Sequence, residues 1–467
     1  MEKKYDIAIL GGGPGGYIAA LRGAQLDRKV VMIEKHKIGG TCMNYGCIPA
    51  KYLLHQTKMV TEIWSNKNLS GPVDKIKCNW EKVQSERESV IQRLVKGIEF
   101  ILKKNGVEII KGEARLNNDK SIDILTKGEG EIKLQAEKII LATGSRPSDL
   151  PFVSPDNHKI ITSRDALELS QIPEKLLIIG AGAIGLEMGT IFKRLGTKVI
   201  VLEIMPYILQ GSDKETAKRL ERLLIRKGLD IYTEMNIKEK IIEKDRISLK
   251  GFCLKDDKDF QFDGNIVLLA AGRKPNSEFI DKKISEIIVD KQGFVKVNEK
   301  METNISGIYA IGDLVGGKLL AHKASHEGIT AAENASGLEN RQTKCLPMAV
   351  FTEPEFASVG LTEEEAKEKN INYQVGSFSL QASGRALTMK KPEGKVKLLI
   401  DDKDKIIGAH ILSPHASEII AEATLAIDKG LDISDLFSSV HIHPTLSEAV
   451  MEAGLKTKDR AFHILNS

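Results

Sequence analysis

Apolar residues along the chain alternate between short continuous runs and helix-spaced stripes, a succession that predicts an α/β protein. Tyr5 to Leu10 is a nearly unbroken apolar run, as a buried parallel strand requires, and it feeds into Gly11, Gly13 and Gly16. A helix-spaced segment continues to about Asp27, and VVMIE then predicts a second strand closing on Glu34. From Ser85 to Lys104, Val90, Ile91, Leu94, Ile98, Ile101 and Leu102 recur at helical spacing with Gly106 just beyond, so this stripe is expected to pack into core. Val107 to Leu141 reads as short strands, with a Gly-bearing turn at Lys127 to Gly130, and runs into IILATGSRP. The small residues Ala142, Thr143 and Gly144 call for close backbone approach to a ligand or another element.

The pattern then repeats. Leu176 to Ile179 leads into Gly180, Gly182 and Gly185, and after a helix the strand VIVLE closes on Glu203. The last glycine and the acid are 18 positions apart in both copies, 34 minus 16 and 203 minus 185. A further echo pairs Ala142, Thr143, Gly144 and Pro147 with Ala270, Ala271, Gly272 and Pro275. Strand, glycines, helix, strand and terminal acid form a dinucleotide fingerprint: glycines allow a tight turn and close approach, the helix N-terminus faces the pyrophosphate, and the acid holds a ribose diol. Glu203 would bond a 2′-hydroxyl and repel a 2′-phosphate, so the second copy should prefer NAD to NADP.

Farther on, NISGIYAIGD predicts a strand ending in Gly312 and Asp313, an acid that on local grounds is a turn residue. After Pro347 come short strands, a helix opened by Thr362 with Glu365 three residues on, and a helical run from Ser417 to Gly430. In HIHPTLSE, Pro444 favours an extended His443 ahead of a new helix. Glu448 then has two readings: the far end of a capping box opened by Thr445, or the carboxylate that orients His443 as a general base.

The length of 467 residues suggests about three domains. The 68 Lys and Arg are interleaved with 64 Asp and Glu, for a net charge of +4, which argues against a nucleic-acid surface. Five cysteines do not make a secreted disulfide framework. No signal-type sequence follows MEKK and no run of about 18 apolar residues occurs, so cytoplasm is the expected compartment, without a membrane span. There a cysteine pair is more often catalytic than structural.

Such a pair lies in GGTCMNYGCIPAK, from Gly39 to Lys51. Cys42 and Cys47 lack the ligand spacing of zinc sites, and Cys78, Cys253 and Cys345 are scattered singly, so no metal is expected. In a regular helix residues five apart lie about 8.6 Å from each other, whereas a disulfide tolerates about 4.4 to 6.8 Å. A bonded pair therefore needs the backbone to leave the helix, which Gly46 eases; two buried free thiols are the other reading.

With these parts assembled, the chain is similar to the flavin-dependent pyridine nucleotide-disulfide oxidoreductases from Tyr5 to about Leu455, and within them to the branch that oxidises dihydrolipoyl groups. The resemblance implies two Rossmann-like dinucleotide-binding domains plus a C-terminal α+β dimerisation domain: an FAD domain at 1–146, an NAD domain at 147–276, a central domain at 277–346 completing the FAD site and an interface domain at 347–467. It assigns Gly11, Gly13, Gly16, Glu34, Thr41, Lys51, Ala114, Gly144, Asp313 and Ala321 to FAD, and Gly180, Gly182, Gly185, Glu187, Glu203 and Gly272 to NAD. It further implies a redox disulfide between Cys42, which exchanges with substrate, and Cys47, nearest the flavin, with Lys51 approaching flavin N5 and pairing with Glu187. His443 and Glu448 would act on the disulfide of the opposite subunit, which makes the homodimer obligatory.

The implied activity is oxidation of protein-bound dihydrolipoyl groups by NAD+, as the shared component of 2-oxoacid dehydrogenase or glycine cleavage complexes. The expected partner is a lipoyl-bearing acyltransferase or carrier, a separate protein because no lipoyl domain precedes Tyr5. FTEPE at Phe351 to Glu355 and SGRAL at Ser383 to Leu387 resemble that branch, while Tyr45 and Ala50 depart from its commoner pattern. The tail AFHILNS lacks the extra cysteine pair of mercuric and large thioredoxin reductases, and Ile204 and Met205 stand where NADP-using relatives place Arg. A glutathione-type reductase and a non-catalytic flavin scaffold are the alternatives.

Overall fold

The computed structural model describes residues 4–72, 76–117, 119–126, 128, 130–279, 286–343 and 345–466. The chain divides into two compact units.

The first unit comprises Met1–Leu53, Asn79–Ser148 and Gly272–Gln342. Its parallel strands lie in the order Ile308–Ala310, Gly130–Leu141, Lys4–Leu10, Val30–Glu34 and Glu108–Leu116, and Ser121–Thr126 runs antiparallel to both Glu108–Leu116 and Gly130–Leu141. Because this sheet is covered on both faces, the first strand is apolar from Ile7 to Leu10: Ile7 and Ile9 enter one core cluster, Tyr5, Ala8 and Leu10 the other. The turn expected at 127–130 falls partly outside the described residues, at 127 and 129. The two sequence echoes meet, Ser145–Pro147 pairing antiparallel with Arg273–Pro275.

One expectation fails here. The helix Trp80–Lys104 is capped by the Asn79 side chain, but only part of its stripe is core. Arg87, Ile91 and Leu102 are buried and Ile98 packs against the core cluster that holds Leu102, whereas Val90, Leu94 and Ile101 are exposed. The reason is angular: 87, 91, 98 and 102 form one line along the helix, and 90, 94 and 101 form another about 70° round it.

The second unit comprises Leu54–Cys78, Asp149–Ala271 and Thr343–Ser467. Its parallel sheet has the order Asp230–Tyr232, Lys198–Leu202, Lys175–Ile179, Ile266–Leu269 and Ile160–Ile161. The strand expected to close on Glu203 ends one residue earlier, at Leu202. An antiparallel sheet of Met348–Val350, Glu355–Gly360, Ile406–Ser413, Lys395–Asp401 and Tyr373–Ser379 packs against the helices Ala416–Lys429 and Glu448–Lys456. The capping box at Thr362 and Glu365 forms as its sequence requires. Among the described residues no helix is long and apolar enough to cross a membrane.

Candidate active site

Both glycine signatures fold into the same local object. Gly11 and Gly180 turn at φ of 109° and 106°, and a Cβ on either would collide with a backbone carbonyl, that of Ala142 at 2.3 Å or of Ala270 at 2.5 Å. Gly16 and Gly185 let each helix close onto its own turn, since a Cβ there would stand 1.9 and 2.0 Å from the carbonyl oxygens of Gly11 and Gly180. The acids act alike: Gly12 N–H donates to Glu34 Oε2 at 2.7 Å, and Ala181 N–H to Glu203 Oε2 at 2.6 Å. Their other oxygens accept from His36 N–H and Met205 N–H.

Each signature helix, Pro14–Gln25 and Ala183–Arg194, begins at a glycine with no side-chain cap and no acid in its first turn. Asn79, Asp213 and Thr362 by contrast cap their helices with side chains. N-terminal amides kept clear of side-chain acceptors are the donor set that a pyrophosphate requires, so both loops fit a dinucleotide. Beside Glu34 a shallow cleft is lined by His36, Ile38, Val95 and Lys111 among others.

The cysteine segment is tied onto the first loop. Gly39 N–H donates to the Gly12 carbonyl at 2.8 Å, and Gly40 lies so near Gly13 that a Cβ would stand 2.7 Å from its Cα. A short helix, Gly40–Tyr45, carries Thr41 and Cys42; Gly46 leaves helical geometry at φ −146° and ψ −110°; a new helix, Cys47–Ser65, then starts on Cys47. The break falls where the disulfide distance argument requires it. Both cysteines carry thiols, and the hydrogen bond to Cys47, then burial and the Cys47 charge, push the Cys42 thiol well above its ordinary range. Lys51, one turn along the helix that Cys47 opens, opposes that rise with its charge.

Asp313 sits in a 3₁₀ turn, Gly312–Val315, and accepts from Ser145 Oγ at 2.5 Å. Arg273 donates to Ser145 Oγ at 2.7 Å and Ser145 O at 2.8 Å, and its Nε lies 3.8 Å from Asp313. Burial lowers the Arg273 pKa against the opposing charges of Asp313 and Cys47. Neither Ser145 nor Arg273 stands out in the sequence, although both lie in the two paired echoes. In the same unit Gly144 turns at φ 71°, Ala114 lies on Glu108–Leu116, and Ala321 opens the helix Ala321–Ala335. Gly272 also falls in this unit, whereas Gly180, Gly182, Gly185, Glu187 and Glu203 fall in the other.

In the second unit buried Glu187 accepts the Phe351 N–H at 3.1 Å. His443 Nδ1 lies 2.9 Å from Glu448 Oε1, and the His443 side chain is 80% exposed. Glu448 contacts both residues that its two readings name, His443 and Thr445. Its Oε2 accepts the Thr445 N–H at 2.6 Å, but the capping box stays incomplete, because the helix begins at Glu448 itself and the buried Thr445 Oγ1 has no hydrogen-bond partner among the described residues. Burial raises the Glu448 pKa, yet the Thr445 N–H and His443 outweigh it and hold the carboxyl below its ordinary value. Among the described residues no cluster of His, Cys, Asp and Glu could hold a metal ion.

Residues 5–328 match the family model "Pyridine nucleotide-disulphide oxidoreductase", and residues 346–454 match the dimerisation domain of the same family. A dihydrolipoyl dehydrogenase of Thermus scotoductus is 40% identical, covering 99% of this chain and 100% of its own. That of Bacillus subtilis is 37% identical with the same coverages. Among solved structures, a copper(II) complex of the HOCl-induced flavoprotein disulfide reductase RclA from Escherichia coli aligns with TM-score 0.86 at 26% identity, over 97% of this chain and 99% of its own.

Proposed function

The chain belongs to the pyridine nucleotide-disulphide oxidoreductase family, and from that premise we propose that it is a dihydrolipoyl dehydrogenase, which uses FAD and NAD+ to oxidise dihydrolipoyl groups through Cys42 and Cys47. The observation that carries the reading is a cysteine pair tied by Gly39 and Gly40 onto a glycine loop built for a dinucleotide.

His443, oriented through Nδ1 by Glu448, accepts the proton of one substrate thiol. The resulting thiolate attacks the Cys42 sulfur, the Cys42–Cys47 bond breaks, and the negative charge passes to Cys47. The second substrate thiol attacks the first substrate sulfur, which releases the cyclic disulfide, and its proton ends on Cys42, whose raised pKa suits it to keep that proton. The substrate has then lost two electrons and two protons; the enzyme holds one proton on His443, one on Cys42 and a thiolate at Cys47. FAD, when bound, supplies the two-electron carrier chemistry between this dithiol and NAD+. Gly11, Gly13, Gly16, Glu34 and Asp313, with Thr41, Ala114, Gly144 and Ala321, would hold it, and Lys51 would lie at its N5 edge paired with Glu187. Gly180, Gly182, Gly185, Glu203 and Gly272 would hold NAD.

The chain carries a dimerisation domain. That His443 serves the partner subunit's disulfide is supported by its exposure and by the exposed apolar Val440 and Ile442 beside it. The four-domain partition at 1–146, 147–276, 277–346 and 347–467, a cytoplasmic setting, and a separate lipoyl-bearing acyltransferase or carrier as substrate complete the proposal. Dihydrolipoamide with NAD+ should turn over, glutathione disulfide with NADPH should not, and Cys47→Ser should abolish the first reaction while the protein stays yellow. Turnover of glutathione disulfide alone, or an active Cys47→Ser variant, would refute the proposal.

A further inference from the structure

Lys323 and Glu327 lie four residues apart on the helix Ala321–Ala335 and are almost completely buried, 4% and 1% exposed, with Nζ and Oε1 2.8 Å apart. Three considerations weigh against such a pair as helix support. Burying two charges takes them out of water for a gain that apolar residues of similar volume match or exceed. The lysine precedes the glutamate, the weaker of the two i,i+4 orientations. A cation in the first turn also faces the positive end of the helix.

The compensation lies outside the helix. Glu327 Oε2 accepts the Gly312 N–H at 2.7 Å, Lys323 Nζ donates to the Gly312 carbonyl at 3.3 Å, and Gln342 completes the set by donating to Glu327 Oε1 at 2.6 Å. One buried residue thus has its backbone donor and acceptor held by opposite charges. Gly312 turns at φ 73°, where a Cβ would lie 3.3 Å from that of Ala324, so the turn also depends on glycine. Asp313 comes directly after it, its side chain partly exposed and already held by Ser145.

We propose that Lys323 and Glu327 are positioning residues for FAD: as a buried ionic clamp on Gly312 they fix the direction of Asp313 before the cofactor arrives. The inference rests on the flavin reading of the first glycine loop. Without the clamp the Gly312 amide group would be buried and unsatisfied, or the turn would open, and either change misdirects Asp313.

The test replaces both charges by apolar residues, Lys323→Met with Glu327→Leu, and measures FAD release from the holoenzyme alongside thermal unfolding of the stripped protein. The expected result is apoprotein melting close to that of wild type with FAD held about tenfold more weakly, the equivalent of about one hydrogen bond to a charged group. Lys323→Met with Glu327→Gln, which keeps an acceptor for the Gly312 N–H, should hold FAD more tightly than the Met and Leu variant. Equal FAD retention in a folded Met and Leu variant, or no recovery by glutamine, overturns the proposal. If the Met and Leu variant does not fold, hydrogen exchange of the Gly312 amide in stripped wild-type protein decides: protection before FAD is added supports the clamp, and exchange at the rate of an open chain overturns it. A wild-type protein that binds no flavin would instead sink the flavin reading itself.

Discussion

The two glycine loops are nearly interchangeable up to their acids, and the chain diverges a few residues beyond them. Six residues after Glu203, Leu209 N–H donates to the Ala181 carbonyl, as Gly39 N–H, five residues after Glu34, donates to that of Gly12. Past that shared contact the second copy runs through Ser212 into an ordinary helix, Lys214–Arg226, capped by Asp213. The first copy runs instead into Cys42, Gly46 and Cys47. Their surroundings differ too. A Cβ on Gly40 would stand 2.7 Å from the Gly13 Cα and one on Gly15 2.9 Å from the Ala324 carbonyl oxygen, and Gly328 admits the Gly15 carbonyl to within 2.4 Å of where its Cβ would be, whereas a Cβ on Gly182 would meet nothing within 4 Å among the described residues. One dinucleotide fold, used twice, has a packed copy suited to a resident cofactor and an open copy suited to one that comes and goes. The redox cysteines occur only on the packed copy.

The comparison is broken most severely by adding one methyl group to each loop. Gly16→Ala must push apart a turn in which the new carbon stands 1.9 Å from a carbonyl, and FAD binding should weaken by about tenfold to a hundredfold, read as flavin lost on dialysis. Gly185→Ala makes the same collision at 2.0 Å but should leave the protein yellow and raise KM for NAD+ by a similar factor. Equal flavin loss from both variants would erase the distinction.

A smaller effect is expected at the acid of the open loop. Glu203→Ser removes the charge that repels a 2′-phosphate and should reduce the preference for NAD+ over NADP+ by about tenfold, measured as a ratio of kcat/KM values. Flavin content should not change.

The smallest effect lies outside both loops. The Glu448 carboxyl is held below its ordinary value, so its contribution to stability is complete above about pH 4.5 and is lost as pH falls through the lower folded value. The difference in Tm between wild type and Glu448→Gln should therefore be constant above about pH 5 and shrink on acidification. A difference that grows towards acid would contradict the hydrogen-bond assignment.

Much of this arrangement is legible in sequence because it is local. The glycine spacing, the acids Glu34 and Glu203 and the break at Gly46 all obey rules that act within about twenty residues. Groups joined over long separations are not legible. Ser145 reaches Asp313 across 168 positions, and Arg273 reaches Ser145 across 128. The clamp of Lys323 and Glu327 on Gly312 looks in sequence like an ordinary i,i+4 pair. The exposed line of Val90, Leu94 and Ile101 shows the converse limit: periodicity gives the face of a helix but not how much of that face its own chain covers.

The most direct test of a cysteine pair coupled to one loop alone is anaerobic titration of the Gly185→Ala variant with dihydrolipoamide. Full development of the long-wavelength absorption of a thiolate beside oxidised flavin is expected, as in wild type, with turnover lost only at low NAD+ concentration. Bound flavin that fails to show that absorption would contradict that coupling.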